Sequence, residues 1–451
     1  MCKRFHVSLR TALFLWLTTL VEGTCNDTLS LNDCIQAGLR SHPYVRALEC
    51  RVKQAAARIK EARAGFFPDV AFRGEYEDVR NEKREPYDVT VSRQGRITKS
   101  VGMDQTLFTG FQVLGLVKQT RVEHQIATLQ LKSTEIALAI LICDAYLGYC
   151  RACADTIVFM GTVERLGTQR EVVQAYCEQE LKPAIDLLRV DVELARAAGQ
   201  LDQARNRVKI RRAVLSELLQ LEPQKTYVFR NDLTDSIPAV PVSLESCIEA
   251  AYENKPRILI AEKRIDAAGH GIRMAWGEAL PEVGVSVSYV LQDIDYHNTT
   301  GLTDNERTYW YGALRMSLPV FSGGSRYYVC KQRIQEKKEY EYRLLSEKSE
   351  LRTEITTAFI ELLDAMERAP TAEKIYKEAR EAQKIARARY KTDIGTLTEL
   401  LEAEEHVTRA LQNSNEVRIQ SWSKLTHLYA AMGDTLLFSL NAAGLRNLGH
   451  R

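Results

Sequence analysis

Ser30–Tyr76 reads SLNDCIQAGLRSHPYVRALECRVKQAAARIKEARAGFFPDVAFRGEY, and Ser243–Tyr289 reads SLESCIEAAYENKPRILIAEKRIDAAGHGIRMAWGEALPEVGVSVSY. Ser30, Leu31, Cys34, Ile35, Ala37, Pro43, Glu49, Arg51, Ala55, Ile59, Ala62, Pro68, Val70 and Tyr76 each recur 213 positions later. The same shift carries Met103 onto Met316, Phe108-Thr-Gly110 onto Phe321-Ser-Gly323, and Asp186-Leu-Leu188 onto Glu399-Leu-Leu401. An ungapped register that survives turns as well as helices is the mark of an internal duplication. Two similar helices alone would not keep it.

Within each copy the hydrophobic period changes once. Val45, Leu48, Val52, Ala55, Ile59, Ala62 and Phe66 alternate steps of three and four, so 30–66 is expected to form one packing helix. Pro68 ends that pattern, and Val70, Phe72, Gly74 and Tyr76 then alternate with Ala71, Arg73 and Glu75. Val283, Val285, Val287 and Tyr289 repeat it, and a second alternating run follows each (Val101, Met103, Leu107; Leu314, Met316, Leu318). The expectation is one β-hairpin per repeat, at about 68–107 and 281–320, with polar loops at about 80–96 and 293–306. Strands of ~9–11 residues suffice to cross a bilayer at a tilt. One apolar and one polar face fits a water-filled barrel, with Tyr309, Trp310 and Tyr311 at a strand end as part of an aromatic girdle.

Phe-Thr-Gly110 and Phe-Ser-Gly323 then open long helices. In the first, Ile126, Leu129, Ser133, Ile136, Ile140, Cys143, Leu147 and Cys150 keep the three-four alternation. It is expected from about 111 to 178, which at 1.5 Å per residue is ~100 Å. Gly161 and Gly167 are expected to bend it, and Pro370 to kink its counterpart. Short breaks at about 179–184 and 392–397 lead into returning helices. The domain plan is therefore a first repeat at 24–222, a linker at 223–242 with three prolines, a second repeat at 243–433 and a short tail at 434–451.

Sixty-one basic and 59 acidic residues leave no electrostatic case for nucleic acid. No run of 18 apolar residues occurs, which argues against a conventional spanning helix. Lys3, Arg4 and Arg10 precede an apolar core from Thr11 to Val21 and a small-residue cleavage site, so residues 1–23 read as a signal peptide. Cys25 raises the question of lipidation, but Glu22 and Thr24 before it fit a lipobox poorly. The ten cysteines are scattered without metal-like spacing and read as small buried hydrophobes. Phosphate loops, GxSxG, HExxH and Cys/His clusters are all missing, so neither an enzyme nor a cofactor is expected. His406 lies four residues after Glu402, a spacing that can hold a metal but far more often marks a solvated pair, so no metal site is assigned.

The SL..CI..A helix starts, the A..P.V...Y strand entries, the F[ST]G turns and Tyr390-Lys-Thr-Asp-Ile-Gly-Thr-Leu-Thr-Glu-Leu-Leu-Glu-Ala403 together resemble the TolC family of outer-membrane efflux and secretion channels. Each motif is weak alone; their order and duplication are specific, and they cover essentially the whole mature chain. The resemblance implies a mainly α fold with a transmembrane β-barrel portion. In it, three protomers each give four strands to one barrel in outer-membrane lipid, and their coiled-coil hairpins form a tunnel across the periplasm. It further implies a passive conduit for efflux or type I secretion, working with a periplasmic adaptor and an inner-membrane pump. Carried over position by position, Glu399 and Glu402, one helical turn apart, would form a cation-attracting gate ring, with Asp186 as the first-repeat counterpart. Tyr390 would help hold the closed state, and Pro183, Asp393 and Gly395 would belong to the adaptor-docking tips. The family's glycine three residues after the tyrosine is Asp393 here, and the first tip, Glu178–Ala184, has no glycine. The alternative reading is a periplasmic coiled-coil scaffold without a pore; the signal peptide and the alternating strands count against it.

Overall fold

The computed structural model describes residues 28–85, 88–222, 227–230, 243–298 and 301–434. The expected signal peptide, Cys25, most of the linker and all of the tail beyond Asp434 lie outside the described residues. In chain order the elements are β1 (Thr28–Leu29), α1 (Leu31–Ser41), α2 (Pro43–Ala64), β2 (Asp69–Glu85), β3 (Asp88–Thr109), α3 (Gln112–Glu178) and α4 (Ala184–Leu218). They continue with β4 (Val228–Phe229), α5 (Leu244–Asn254), α6 (Pro256–Gly277), β5 (Glu282–Asn298), β6 (Gly301–Ser317), α7 (Ser325–Lys391) and α8 (Leu397–Met432). The starts of α1, α2, β2, β3, α3 and α4 recur 213 residues on as the starts of α5, α6, β5, β6, α7 and α8.

The duplication also fixes the backbone where residue type has diverged. The left-handed conformations fall at Gly110 and Gly323, Phe111 and Gly324, Glu180 and Asp393, and Gln220 and Gly433, four pairs each 213 apart. The last two pairs close helices by the same device. In α3 the Glu180 N–H donates to the Cys177 carbonyl and the Leu181 N–H to Tyr176; Asp393 and Ile394 repeat this on Tyr390 and Arg389. Gln220 with Leu221, and Gly433 with Asp434, do so again. Each satisfies carbonyls that a helix end otherwise leaves open.

The chain divides into two compact units, one built from Pro43–Glu135 and Glu245–Glu354, the other from the residues up to His42, Ile136–Leu244 and those from Ile355 on. The first holds a four-stranded antiparallel sheet in the order β2-β3-β5-β6, leaving β2 and β6 as its edges. Cross-strand register puts Phe72 opposite Val101, Val101 opposite Tyr289 and Tyr289 opposite Trp310, so one face is apolar from edge to edge. The other face carries Arg73 paired with Asp104 at 3.3 Å and Arg96 paired with Glu77 at 3.2 Å. Against α7, Arg257 of α6 forms ion pairs with Glu347 and Glu350.

The second unit packs α1, α4, α8 and the later parts of α3 and α7. Its apolar contacts include Phe159 with Leu201 and Ala204, and Ile136 with Ala430. The face of α1 carrying Cys34, Ile35 and Gly38 is buried, and a Cβ on Gly38 would meet Ile142 Cδ1 at 2.4 Å.

Several expectations from sequence are corrected. The 30–66 helix is two helices, because His42 before Pro43 is held extended at ψ 123° and proline can only open the second; Lys255 before Pro256 repeats the break. The polar loops at 80–96 and 293–306 are mostly strand, so the strands run 17 to 22 residues. Ladder hydrogen bonds need no apolar face once a strand has left lipid, so polarity did not end the hairpins. Trp310 packs on Tyr289 on the apolar face, ring centroids 5.0 Å apart, within β6 instead of at its end; Tyr309 and Tyr311 lie on the opposite face. The bends expected at Gly161 and Gly167 and the kink expected at Pro370 interrupt neither helix: α3 is continuous through both glycines and α7 through the proline. Finally, α3 contains an 18-residue window apolar enough to cross a membrane by length and composition, half of it buried. Buried Ile142, Cys143, Tyr146, Leu147 and Cys150 make it a core helix.

Among the described residues the cysteines are all free, and Cys34, Cys143, Cys150, Cys247 and Cys330 are buried. Burial pushes the Cys34 thiol up to about 12 and the Cys143 thiol likewise, which keeps both protonated.

Candidate functional site

The candidate residues gather at the turns joining α3 to α4 and α7 to α8, both within the second unit. Pro183 is the N-cap of α4; having no side-chain hydroxyl or carboxylate, it caps nothing, and the Asp186 N–H donates instead to its carbonyl at 3.0 Å. The second turn is better capped. Thr396 Oγ1 accepts from the Glu399 N–H at 3.2 Å, and acidic Glu399 sits in the first turn of α8, where the helix dipole favours negative charge. Gly395 is buried, and a Cβ there would lie 3.0 Å from Arg389 Cβ.

Tyr390 is 2% exposed, in a cluster with Val173, Val190, Leu397 and Leu400 that joins all four helices. Lys182 reaches over from the first turn, its Nζ 5.4 Å from the Tyr390 ring centroid, and forms an ion pair with Asp393 of the second. Arg189 also donates to Thr398 Oγ1 at 3.3 Å. Burial, reinforced by the nearby Asp186 carboxylate, pushes the Tyr390 phenol up to about 12, so it stays neutral. Its hydroxyl has no hydrogen-bond partner among the described residues.

Glu399 and Glu402 are exposed and together line an open groove of about 850 Å³ between α7 and α8. Glu402 also borders a groove of about 500 Å³ between α8 and α4, whose apolar wall is Ile185, Leu188 and Val192. Asp186 is half-buried and lines neither groove. Glu402 and His406 share the first groove, and among the described residues no three His, Cys, Asp or Glu side chains converge on a metal position.

The residues that sequence reasoning missed lie deeper along the same helices. Glu404, 3% exposed, accepts from Arg165 of α3 and Arg387 of α7, each at 2.8 Å. Thr162 and Thr408 hydrogen-bond to each other at 3.0 Å beside it, and Arg165 also donates to Thr162 at 3.1 Å. A signal for this cluster was present. Glu404 is the repeat counterpart of Asp191, which itself pairs with Arg170 at 2.6 Å. An acid kept by both copies on a packing helix marks a paired charge.

The model of the family described as outer membrane efflux protein matches residues 34–219 and 247–434, two spans whose starts are again 213 apart. The chain belongs to the outer membrane efflux protein family. It is an outer-membrane channel component of an export system, extending into the periplasm. Its fold is similar to that of the outer-membrane channel OprN (17% identity, 90% of each chain covered, TM-score 0.75). It is also similar to VceC of Vibrio cholerae (16% identity, 90% of this chain and 96% of that one, TM-score 0.72). A third such fold is the CmeC outer membrane channel of Campylobacter jejuni (14%, 93% and 90%, TM-score 0.74). No curated protein sequence matches the chain.

Proposed function

We propose that the chain works as a homotrimeric passive conduit, receiving cargo from an inner-membrane pump through a periplasmic adaptor. The observation that carries this is the four-stranded sheet with an apolar face and two open edges. Such edges are not tolerated in lipid, and further copies supply the missing strands. With a signal peptide at 1–23 and structural repeats at 24–222 and 243–433, each protomer adds two hairpins to the barrel and two helical hairpins to the tunnel. In this reading the energy for export is supplied by the inner-membrane pump.

In this reading Glu399 and Glu402, exposed on α8, form the gate ring of the assembled tunnel, with Asp186 of α4 as the first-repeat counterpart of Glu399. Tyr390 and the Lys182–Asp393 pair hold the two turns of one protomer together. The Asp393, Gly395 and Pro183 turns present the docking surface to the adaptor. The ring is tested by reversal potentials across planar bilayers under a salt gradient. Cation selectivity that falls in the Glu399→Gln/Glu402→Gln double variant supports it; unchanged selectivity removes these carboxylates from the gate while leaving the channel.

A further inference from the structure

Tyr309 and Tyr311 stand on the polar face of the sheet, two residues and so about 7 Å apart along β6. Cross-strand register sets Tyr311 in one row with Ser288, Gly102 and Ala71, and Tyr309 in one row with Val290, Ser100 and Arg73. Among the described residues of the sheet the buried ones, Gly102, Val290 and Ile294, all lie on this polar side. On the other side Phe72, Trp310 and Leu314 are 70%, 74% and 71% exposed. Side chains crowd together on the concave side of a curved sheet and splay apart on the convex one. The sheet therefore curls toward its polar face, which becomes the inner wall when copies close a barrel.

We propose that Tyr309 and Tyr311 are the cargo-contacting residues of that inner wall. Repeated in each copy, they form two levels of tyrosine rings on which planar aromatic cargo stacks as it passes. This rests on the conduit reading above and adds a substrate class to it.

Three observations carry the assignment. The first is that the repeated framework does not ask for these rings. Their counterparts in β3 are Arg96 and Thr98, whereas the counterpart of outward-facing Trp310 is Ile97. Both copies thus keep an apolar residue toward lipid, and only the second places aromatics toward the lumen. The second is that the rings are unused within the chain. Tyr289 and Trp310 pack on each other on the outer face, but among the described residues neither Tyr309 nor Tyr311 meets another ring or a cation. The two are 44% and 48% exposed, so their π faces are open to a molecule in the lumen. By contrast, Arg73 and Arg96 on the same face are paired with Asp104 and Glu77. The third is room. Ser288, Gly102 and Ala71 carry nothing longer than a hydroxymethyl group, which leaves a shelf beside Tyr311 about 14 Å wide at about 4.8 Å per strand. A flat ring system fits against a tyrosine on such a shelf; a bulky neighbour would cover it.

The test is block of the single-channel current through the full-length protein in a planar bilayer. Two probes are compared, the planar aromatic cation N-methylquinolinium and its saturated relative dimethyldecahydroquinolinium, whose equal charge removes electrostatic differences between them. The aromatic ion is expected to block for roughly threefold to tenfold longer. Tyr309→Leu/Tyr311→Leu, which keeps apolar bulk, should abolish that preference, and Tyr309→Phe/Tyr311→Phe, which keeps the rings, should retain it. Each single leucine variant should fall between, so the comparison does not depend on the double variant folding. Equal block by the two ions, or an aromatic preference that the leucine variants keep, overturns the proposal while the channel stands. A preference that disappears only in Glu399→Gln/Glu402→Gln overturns it as well, by placing the contact at the helical tips. Folded protein that passes no ions contradicts the conduit reading itself, and the tyrosine levels fall with it.

Discussion

At Gln220 and Gly433 the two repeats put different residues into one backbone conformation, φ 51° and 73°. An L side chain in that region costs roughly 1–2 kcal/mol, whereas glycine enters it freely at some entropic cost. Gln220→Gly is therefore expected to stabilise the protein and Gly433→Gln to destabilise it, each by about 1 kcal/mol, read from thermal unfolding followed by circular dichroism. The tips obey the same rule. Sequence showed Asp393 and a glycine-free first tip only as departures from a pattern, because residue type does not reveal that the closing hydrogen bonds hold Glu180 and Asp393 left-handed regardless. Glu404 teaches a different lesson. Glu404→Ala removes both ion pairs of a buried carboxylate, but the two guanidiniums are partly exposed and Arg165 keeps Thr162, so a loss of about 1–2 kcal/mol is expected. Exposed Glu399→Gln should change stability by less than about 0.5 kcal/mol in the same unfolding measurement. Glu399 and Glu402 stood out in sequence as candidates because a motif names them; Glu404 was legible only by comparison with its repeat counterpart Asp191.

Between elements, α3 and α8 are tied by a titratable contact. His427 Nε2 lies 3.0 Å from Asp144 Oδ2, and Ser423 Oγ donates to the same carboxylate at 3.0 Å. The hydrogen bond to Asp144, against the opposing effect of burial, raises the His427 pKa above its ordinary 6.5. Burial alone would raise Asp144, but His427, Ser423 and Lys424 outweigh it and hold the carboxyl below its ordinary 3.8. The raised histidine contributes stability that is complete below pH 6.5 and lost as pH rises through its folded value; the depressed acid contributes stability lost as pH falls through its own. The melting temperature lost in His427→Gln should accordingly be largest near about pH 5–6 and shrink toward about pH 9. A deficit independent of pH would contradict this. At this scale sequence told helix from strand through the change of period at Pro68, and it placed the long helices to within a residue or two. It failed where two signals competed: the seam through Val45 and Leu48 hid the break that Pro43 imposes, and polar composition hid strands that continue past the apolar band.

For the whole molecule, duplication was the most informative feature, because one offset accounts for element starts, left-handed residues and the two spans of the family match. What lay beyond sequence was how the tips are held. The four-helix cluster around Tyr390 brings together residues up to 227 positions apart, Val173 to Leu400, and no local pattern announces such contacts. The open edges β2 and β6 set the question that decides the function, whether copies close around a pore. Native mass spectrometry in detergent should therefore give three chains. The most direct measurement is single-channel conductance of the purified full-length protein in a planar bilayer. Discrete, stable current steps from folded trimer are the expected result. Folded protein that inserts into the bilayer and passes no ions, with or without the Glu399→Gln/Glu402→Gln changes that would relieve a closed acidic ring, would contradict the conduit and leave a scaffold in its place.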